Sequence, residues 1–88
     1  MADYKVHIKP AAGRELDAMP KRDRQRLVLR ITELARNPRP YGSEKLSGED
    51  GYRIRQGNYR VIYSVDDSEK AVRILKIAHR KDVYRRLG

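Results

Sequence analysis

Cysteine is absent from the 88-residue chain, so the sequence offers neither a disulfide framework nor a cysteine metal site. Two histidines without any cysteine also argue against a structural zinc site. No apolar run approaches the roughly 20 residues that cross a bilayer, and the N-terminus lacks a signal-peptide core. These absences predict a protein that needs no metal or cofactor, has no membrane segment and is located in the cytoplasm. The length of 88 residues predicts a single domain over residues 1–88.

Positive charge is what the chain has in excess. It carries 21 lysines and arginines against 12 acidic residues, which gives a formal net charge of +9. Such an imbalance on a small domain is typical of proteins that bind polyanions, because phosphate contacts release condensed counterions. The charge is also compatible with an acidic protein partner, alone or in addition to nucleic acid. Solubility alone is the remaining alternative.

Residues 52–65 alternate between apolar and polar side chains on both sides of a Gly57-Asn58 pair, a pattern that predicts a β-hairpin. Glycine at the first central position favours a type II′ turn. Strand side chains alternate between faces, so the hairpin has an apolar face with Tyr52, Ile54, Tyr59, Val61, Tyr63 and Val65 and an opposite face with Arg53, Arg55, Arg60, Ile62 and Ser64. The first face is predicted to enter the core, and the second to remain open.

The rest of the chain supplies the elements that cover the apolar face. Patterning predicts a strand at 4–9, helices at 11–19 and 21–36, a loop at 39–51 with a short extended segment at Lys45-Leu46, a central strand at 71–78 and a helical tail at 79–87. The order β-α-α-β-β-β-α indicates an α+β fold. We expect a small, antiparallel-rich sheet with the first strand at one edge, two N-terminal helices on one face and an open basic face opposite.

The open face carries the candidate chemistry. Arg53, Arg55 and Arg60 come from the hairpin, and Arg80 and Tyr84 come from the end of the last strand and the tail. Guanidinium groups bind phosphate oxygens in pairs, and a tyrosine ring can stack on a base. The set therefore predicts a site for a phosphodiester, with single-stranded RNA as the favoured substrate.

These residues also carry a family resemblance. Lys45-Leu46, residues 52–55, residues 57–63 and the stretch from Ile77 to Arg85 closely resemble the RelE toxins of bacterial and archaeal toxin–antitoxin pairs, within the RelE/ParE superfamily. The resemblance implies a type II toxin that inhibits translation by cutting mRNA in the ribosomal A site. It implies attack of a ribose 2′-hydroxyl on the adjacent phosphate, which leaves a cyclic phosphate. It also implies an acidic, RelB-like antitoxin as partner.

By position, the resemblance assigns Arg60 and Arg80 to the scissile phosphate and Tyr84 to the substrate base. Arg53 and Arg55 stand where well-known members have lysines. Arginine does not lose its proton in proteins, so these two residues are expected to stabilise charge rather than to act as a base. The general base stays open between Tyr84, His79, a ribosomal group and no well-matched group at all. Contacts to substrate or ribosome are expected from Lys45, Lys81 and Arg85.

Two rival functions fit the same fold. The first is a ParE-like toxin that binds DNA gyrase and cleaves nothing. The second is a basic module that occupies RNA or the ribosome without catalysis. The arginine and tyrosine set favours the nuclease, since ParE-like relatives tend to lack it.

Overall fold

The computed structural model describes residues 3–46 and 51–80. Its elements, in chain order, are β1 (Lys5–Ile8), α1 (Pro10–Asp17), α2 (Lys21–Glu33), β2 (Glu44–Lys45), β3 (Gly51–Gln56), β4 (Tyr59–Asp66) and β5 (Ala71–His79). The strands form one sheet in the order β1-β5-β4-β3-β2. Only the β1–β5 pair is parallel within the described ranges. The predicted α+β fold with an antiparallel-rich sheet is confirmed, and the predicted tail helix lies almost entirely outside the described residues.

Proline sets the start of both helices. The first helix was predicted to begin at residue 11, but α1 begins one residue earlier at Pro10, because the fixed φ of proline suits the first helical position and its missing N–H is not needed there. Pro20 occupies the N-cap of α2. That helix ends at Glu33, three residues before the predicted end, and Leu34 follows as its C-cap. None of the helices in the described ranges is long and apolar enough to cross a membrane.

The core lies between the two helices and one face of the sheet. The helices contribute Ala12, Leu16, Leu27 and Ile31, and the loop that follows α2 contributes Leu34; Ile54, Val61, Tyr63, Val65, Val72, Ile74 and Ile77 come from the strands. The apolar face of the hairpin is therefore buried as predicted. Alternation along the predicted strand at 4–9 sets Tyr4, Val6 and Ile8 inward. Ile8 is instead 43% exposed, because β1 is an edge strand with β5 on one side.

The pairing of the short extended segment with β3 and a bulge between β4 and β5 were not predicted from the patterning. The segment at Lys45-Leu46 was predicted as an extended piece, and the structure has a two-residue strand, β2, that pairs antiparallel with β3. The β4–β5 register shifts between Ile62 and Tyr63, so that β5 has one additional residue, Leu75, at this point. Such a bulge increases the local twist of the sheet.

A polar cluster holds the loop after α2 against the sheet. Arg39 donates hydrogen bonds from its two terminal nitrogens to the carboxylate of Asp67 at 2.9 and 3.2 Å, and from Nε to the Tyr52 hydroxyl at 2.8 Å. The Tyr4 hydroxyl donates to the same carboxylate at 2.6 Å. Beneath it, the buried Tyr63 hydroxyl donates to the carbonyl of Pro38 at 2.7 Å. These bonds connect the start of β1, the post-α2 loop and the β4–β5 turn.

This cluster predicts an acid-sensitive contribution to stability. The hydrogen bonds from Arg39, and then from Tyr4, hold the pKa of Asp67 below its usual value of 3.8. Because the pKa is lower in the folded state, ionised Asp67 stabilises the fold above the unfolded-state pKa, and this contribution is lost as the pH falls through the folded-state value. We expect Asp67→Asn to lower the urea midpoint modestly near neutral pH, as for exposed ion pairs. The wild-type advantage should close on acidification below about pH 4; an advantage that persists in acid would contradict this account.

Candidate nucleic-acid site on the open face of the sheet

The β3–β4 hairpin places its arginines on the face away from the helices. Of the two central turn residues only Gly57 has a positive φ, +60°, as a type II′ turn requires, so the predicted turn type is confirmed. The register sets Arg55 opposite Arg60 and Arg53 opposite Ile62. Residues directly opposite each other in a sheet share a face, so the three arginines lie on the open side while Ile54 and Val61 enter the core.

Arg80 reaches the same place from the end of β5. That strand pairs with β4 up to His79, and the backbone N–H of Arg80 then donates to the carbonyl of Asn58 in the hairpin turn at 2.7 Å. This bond fixes the chain beside the turn. As a result, Arg55, Arg60 and Arg80 line one hollow of about 260 Å³, whose wall also includes Gly57, Asn58 and Tyr59. We call it the arginine hollow.

The residues that line the arginine hollow favour the binding of an anion. Three of its six lining residues are arginines, and none of the six is acidic. Guanidinium groups remain protonated at any physiological pH and match the geometry of phosphate oxygens. A water molecule occupies about 30 Å³ of liquid, so the hollow has room for a phosphate group and part of its sugar. It can therefore hold a phosphodiester and stabilise negative charge that develops on it.

Arg53 does not line the arginine hollow. Its Nη2 atom lies 3.1 Å from Oε2 of Glu44, the residue opposite it on β2, and both side chains remain partly exposed. The Nε–H of Arg53 is buried and has no hydrogen-bond partner in the described part of the chain. Sequence reasoning missed Glu44, although it adjoins Lys45 in the segment predicted to be extended.

His79 lies on the other face of the sheet. It pairs with Tyr59, and the two rings meet edge to face with centroids 5.1 Å apart. The histidine lines a separate hollow with Glu15, Ala18, Met19, Tyr59 and Ile77. His79 is the last residue of β5, and alternation along the strand directs its side chain away from the face that Arg55 and Arg60 occupy. The structure therefore does not bring His79 to the arginine hollow, and the geometry gives no support to its role as a general base.

The remaining predicted residues lie elsewhere or beyond the described part. Lys45 is opposite Tyr52, whose ring stacks on buried Tyr63, so the register places Lys45 on the helix side of the exposed edge strand β2. Tyr84, Lys81 and Arg85 lie outside the described residues. Within residues 3–46 and 51–80, no group of three His, Cys, Asp or Glu side chains is placed to hold a metal ion.

Comparisons with known proteins bear on this fold directly. The family model described as the ParE toxin of the type II toxin–antitoxin system parDE matches residues 6–84. The chain belongs to the RelE/ParE family of type II toxins. Among members of this family, the chain is 34% identical to Toxin RelG of Mycobacterium tuberculosis over 94% of its own length and 98% of the relative.

Solved structures of the RelE/ParE family have the same architecture. The toxin–antitoxin complex RelBE2 of Mycobacterium tuberculosis contains a chain that matches with a TM-score of 0.78 and 31% identity, covering 91% of this chain and 94% of the other. The archaeal RelE–RelB complex of Pyrococcus horikoshii OT3 gives a TM-score of 0.78 and 33% identity, with coverage of 89% and 96%. These matches establish both the fold of the chain and its relationship to the RelE toxins.

Proposed function

We propose that this toxin is a ribosome-dependent mRNA endoribonuclease that inhibits translation. The observation that carries the proposal is the arginine hollow, where Arg55, Arg60 and Arg80 surround one cavity with no acidic residue in its lining. A phosphodiester of mRNA is the ligand that this arrangement suits, because each guanidinium can donate two parallel hydrogen bonds to phosphate oxygens. The relatives named RelG and RelE support a RelE type of activity.

The chemistry that fits the hollow is attack of the ribose 2′-hydroxyl on the adjacent phosphorus. The 2′-hydroxyl gives its proton to a base and the 2′-oxygen forms a bond to phosphorus while the bond to the 5′-oxygen breaks. The departing 5′-oxygen takes a proton from water, which leaves a 2′,3′-cyclic phosphate and a 5′-hydroxyl. Negative charge builds on the phosphoryl oxygens in the transition state, and preorganised cations stabilise it there more than in the ground state. Arg60 and Arg80 are assigned to this charge, with Arg55 beside them.

Partners follow from the same proposal. Tyr84 is assigned to the substrate base, and Lys81 and Arg85, with Lys45 on the edge strand, to contacts with the ribosome or mRNA. RelE chains of Mycobacterium tuberculosis and Pyrococcus horikoshii were solved in complexes with their antitoxins. We assign this toxin an acidic antitoxin of the same kind, which its net charge of +9 suits. Its site of action, the ribosome, places it in the cytoplasm.

The second candidate is a ParE-like toxin that binds DNA gyrase. It is kept because the family model that matches the chain is described as the ParE toxin. The two functions leave different products. A RelE-type nuclease produces new 5′ ends in translated mRNA, whereas a gyrase inhibitor leaves mRNA intact and changes DNA supercoiling.

Mapping of transcript ends during induced expression separates the two candidates. Primer extension on a reporter mRNA is expected to show new 5′ ends within the reading frame soon after induction. A matched reporter whose ribosome-binding site is removed should show none, because cleavage needs an occupied A site. Equal cutting of both reporters would contradict ribosome dependence. Growth arrest without any cut, accompanied by a change in plasmid supercoiling, would favour the gyrase function instead.

A further inference from the structure

We infer that Glu15 of helix α1 positions Arg80 for the cleavage step, although Glu15 does not itself line the arginine hollow. The inference rests on the proposed RNA cleavage, in which Arg80 binds the scissile phosphate. Arg80 follows directly after the last residue of β5, so the contacts that hold this strand at its end determine where the guanidinium lies. Glu15 makes such a contact with the backbone of β5 three residues before Arg80.

The end of β5 has a partner strand on one side only. Its pairing with β1 stops at Ile74, which lies opposite Ile8, and the Lys9 N–H then donates to the Ile74 carbonyl at 3.0 Å. The chain enters α1 at the next residue, Pro10, so within the described ranges no strand lies beside residues 75–79 on this edge. A strand edge of this kind presents unpaired N–H groups, and a partly buried one needs a hydrogen-bond acceptor from elsewhere.

Glu15 supplies that acceptor. Its Oε1 atom accepts a hydrogen bond from the Ile77 N–H at 3.0 Å, and its Oε2 atom accepts one from Nζ of Lys76 at 3.2 Å. On α1, Glu15 stands beside buried Leu16 and about one turn after buried Ala12, so it lies at the margin of the helix face that packs on the sheet. The carboxylate therefore takes the place of a strand partner where the ladder between β1 and β5 has ended.

The residue that Glu15 holds leads directly into the arginine hollow. Between Ile77 and the end of β5 the strand pairs with β4, and Ala78 lies opposite Arg60. Arg80 then donates its N–H to the carbonyl of Asn58 and lines the hollow. Three residues of extended chain cover about 10 Å, so a shift of β5 at Ile77 displaces Arg80 as well. A misplacement of about 1 Å can cost about 10²-fold in rate.

The bond to the backbone, rather than the ion pair, is the part of the contact that we assign to this role. The side chains of Lys76 and Glu15 are 35% and 34% exposed, and an ion pair that solvent screens contributes little. The bond from the Ile77 N–H acts on the strand itself, and a bond from a backbone N–H to a carboxylate is stronger than one to a neutral acceptor. The rate of cleavage should therefore follow the presence of an acceptor within reach of Ile77.

The test is single-turnover cleavage of mRNA on programmed ribosomes, with a saturating concentration of the full chain. Glu15→Gln keeps the length of the side chain and an acceptor oxygen but loses the charge, and its rate constant should stay close to that of wild type. Glu15→Asp keeps the charge but is shorter, which draws the acceptor away from the Ile77 N–H; its rate constant should fall by about 10- to 100-fold. The affinity of both variants for the ribosome should be unchanged.

Two controls separate positioning from a general loss of structure. In an Arg80→Ala background, Glu15→Asp should cause little further slowing, because changes that act through the same group are not additive. Glu33→Asp makes the same substitution on α2, where Glu33 lies 3.6 Å from Arg30. This variant should cleave at the wild-type rate.

Amide hydrogen exchange tests the contact without any RNA. The Ile77 N–H should exchange faster in Glu15→Asp than in wild type or in Glu15→Gln, because its acceptor is lost only in the shorter variant. The amides of β4 next to Val61 and Tyr63 should keep their wild-type rates, since these residues lie in the core.

Three results would overturn the inference while leaving the proposed function in place. The first is unchanged exchange of Ile77 in Glu15→Asp, which would show that the carboxylate does not hold the strand. The second is equal slowing of cleavage in Glu15→Asp and Glu15→Gln, which would make the charge decisive. The third is a full effect of Glu15→Asp in the Arg80→Ala background, which would show that Glu15 acts elsewhere. If the wild-type toxin cuts no mRNA, the proposed function fails, and the role of Glu15 in cleavage fails with it.

Discussion

Replacement of Arg60 and Arg80 by alanine in one protein is expected to abolish growth arrest and to slow single-turnover mRNA cleavage by at least about 10³-fold. Loss of a single preorganised donor to transition-state charge typically costs about 10² to 10³ in rate. These two arginines reach the same hollow from β4 and from the end of β5. The double change therefore removes two sides of the cavity, and the backbone bond from Arg80 to Asn58 keeps the chain in place because it does not involve the side chain.

A matched control removes the same charge from another surface. Arg22 and Arg26 are exposed on α2, on the helix side of the sheet. The Arg22→Ala, Arg26→Ala double variant has the same net charge as the test protein, so any general loss of attraction to RNA affects both equally. Only the Arg60 and Arg80 variant should lose the chemical step. Equal activity of the two double variants, with both folded by circular dichroism, would show that the arginine hollow is not the site of cleavage.

The hairpin shows how much of the site could be predicted from sequence. A two-residue turn with glycine first determines the register of the flanking strands, and alternation then determines which side chains share a face. Once that register is known, Arg55 must lie beside Arg60. Burial of Tyr63 and Val61 confirms the side that was predicted to face the core. Local chemistry was sufficient here because every decisive interaction lies within a few residues along the chain.

The pairing of Glu44 and the orientation of His79 could not be predicted from local sequence patterns. A strand of two residues has no measurable periodicity, so nothing in the sequence indicated that Glu44 pairs with Arg53. His79 was predicted to begin a helical tail, but β5 continues through it because the strand has β4 to pair with along its whole length. That single additional strand residue turns the ring toward Tyr59 and away from the arginines. Both outcomes depend on contacts between distant parts of the chain.

Leu27→Ala is expected to destabilise the fold by about 3 kcal/mol, the middle of the range for a buried leucine. Leu27 is completely buried in α2, within the cluster that packs against the strands. Truncation removes apolar contacts and leaves a cavity that the surrounding β-branched and aromatic side chains fill only in part. Urea unfolding, followed by circular dichroism with the slope held common to both proteins, measures the change.

The same helix provides the control for this substitution. Leu29 is 67% exposed, only two residues from Leu27, so Leu29→Ala makes the same chemical change on the solvent side and should alter stability by less than about 0.5 kcal/mol. Similar losses in the two variants would mean that Leu27 does not lie on a buried face of α2. Leu27→Ala should also retain cleavage at temperatures where it remains folded, in contrast to the Arg60 and Arg80 variant, because the helices support the open face without contributing side chains to the arginine hollow.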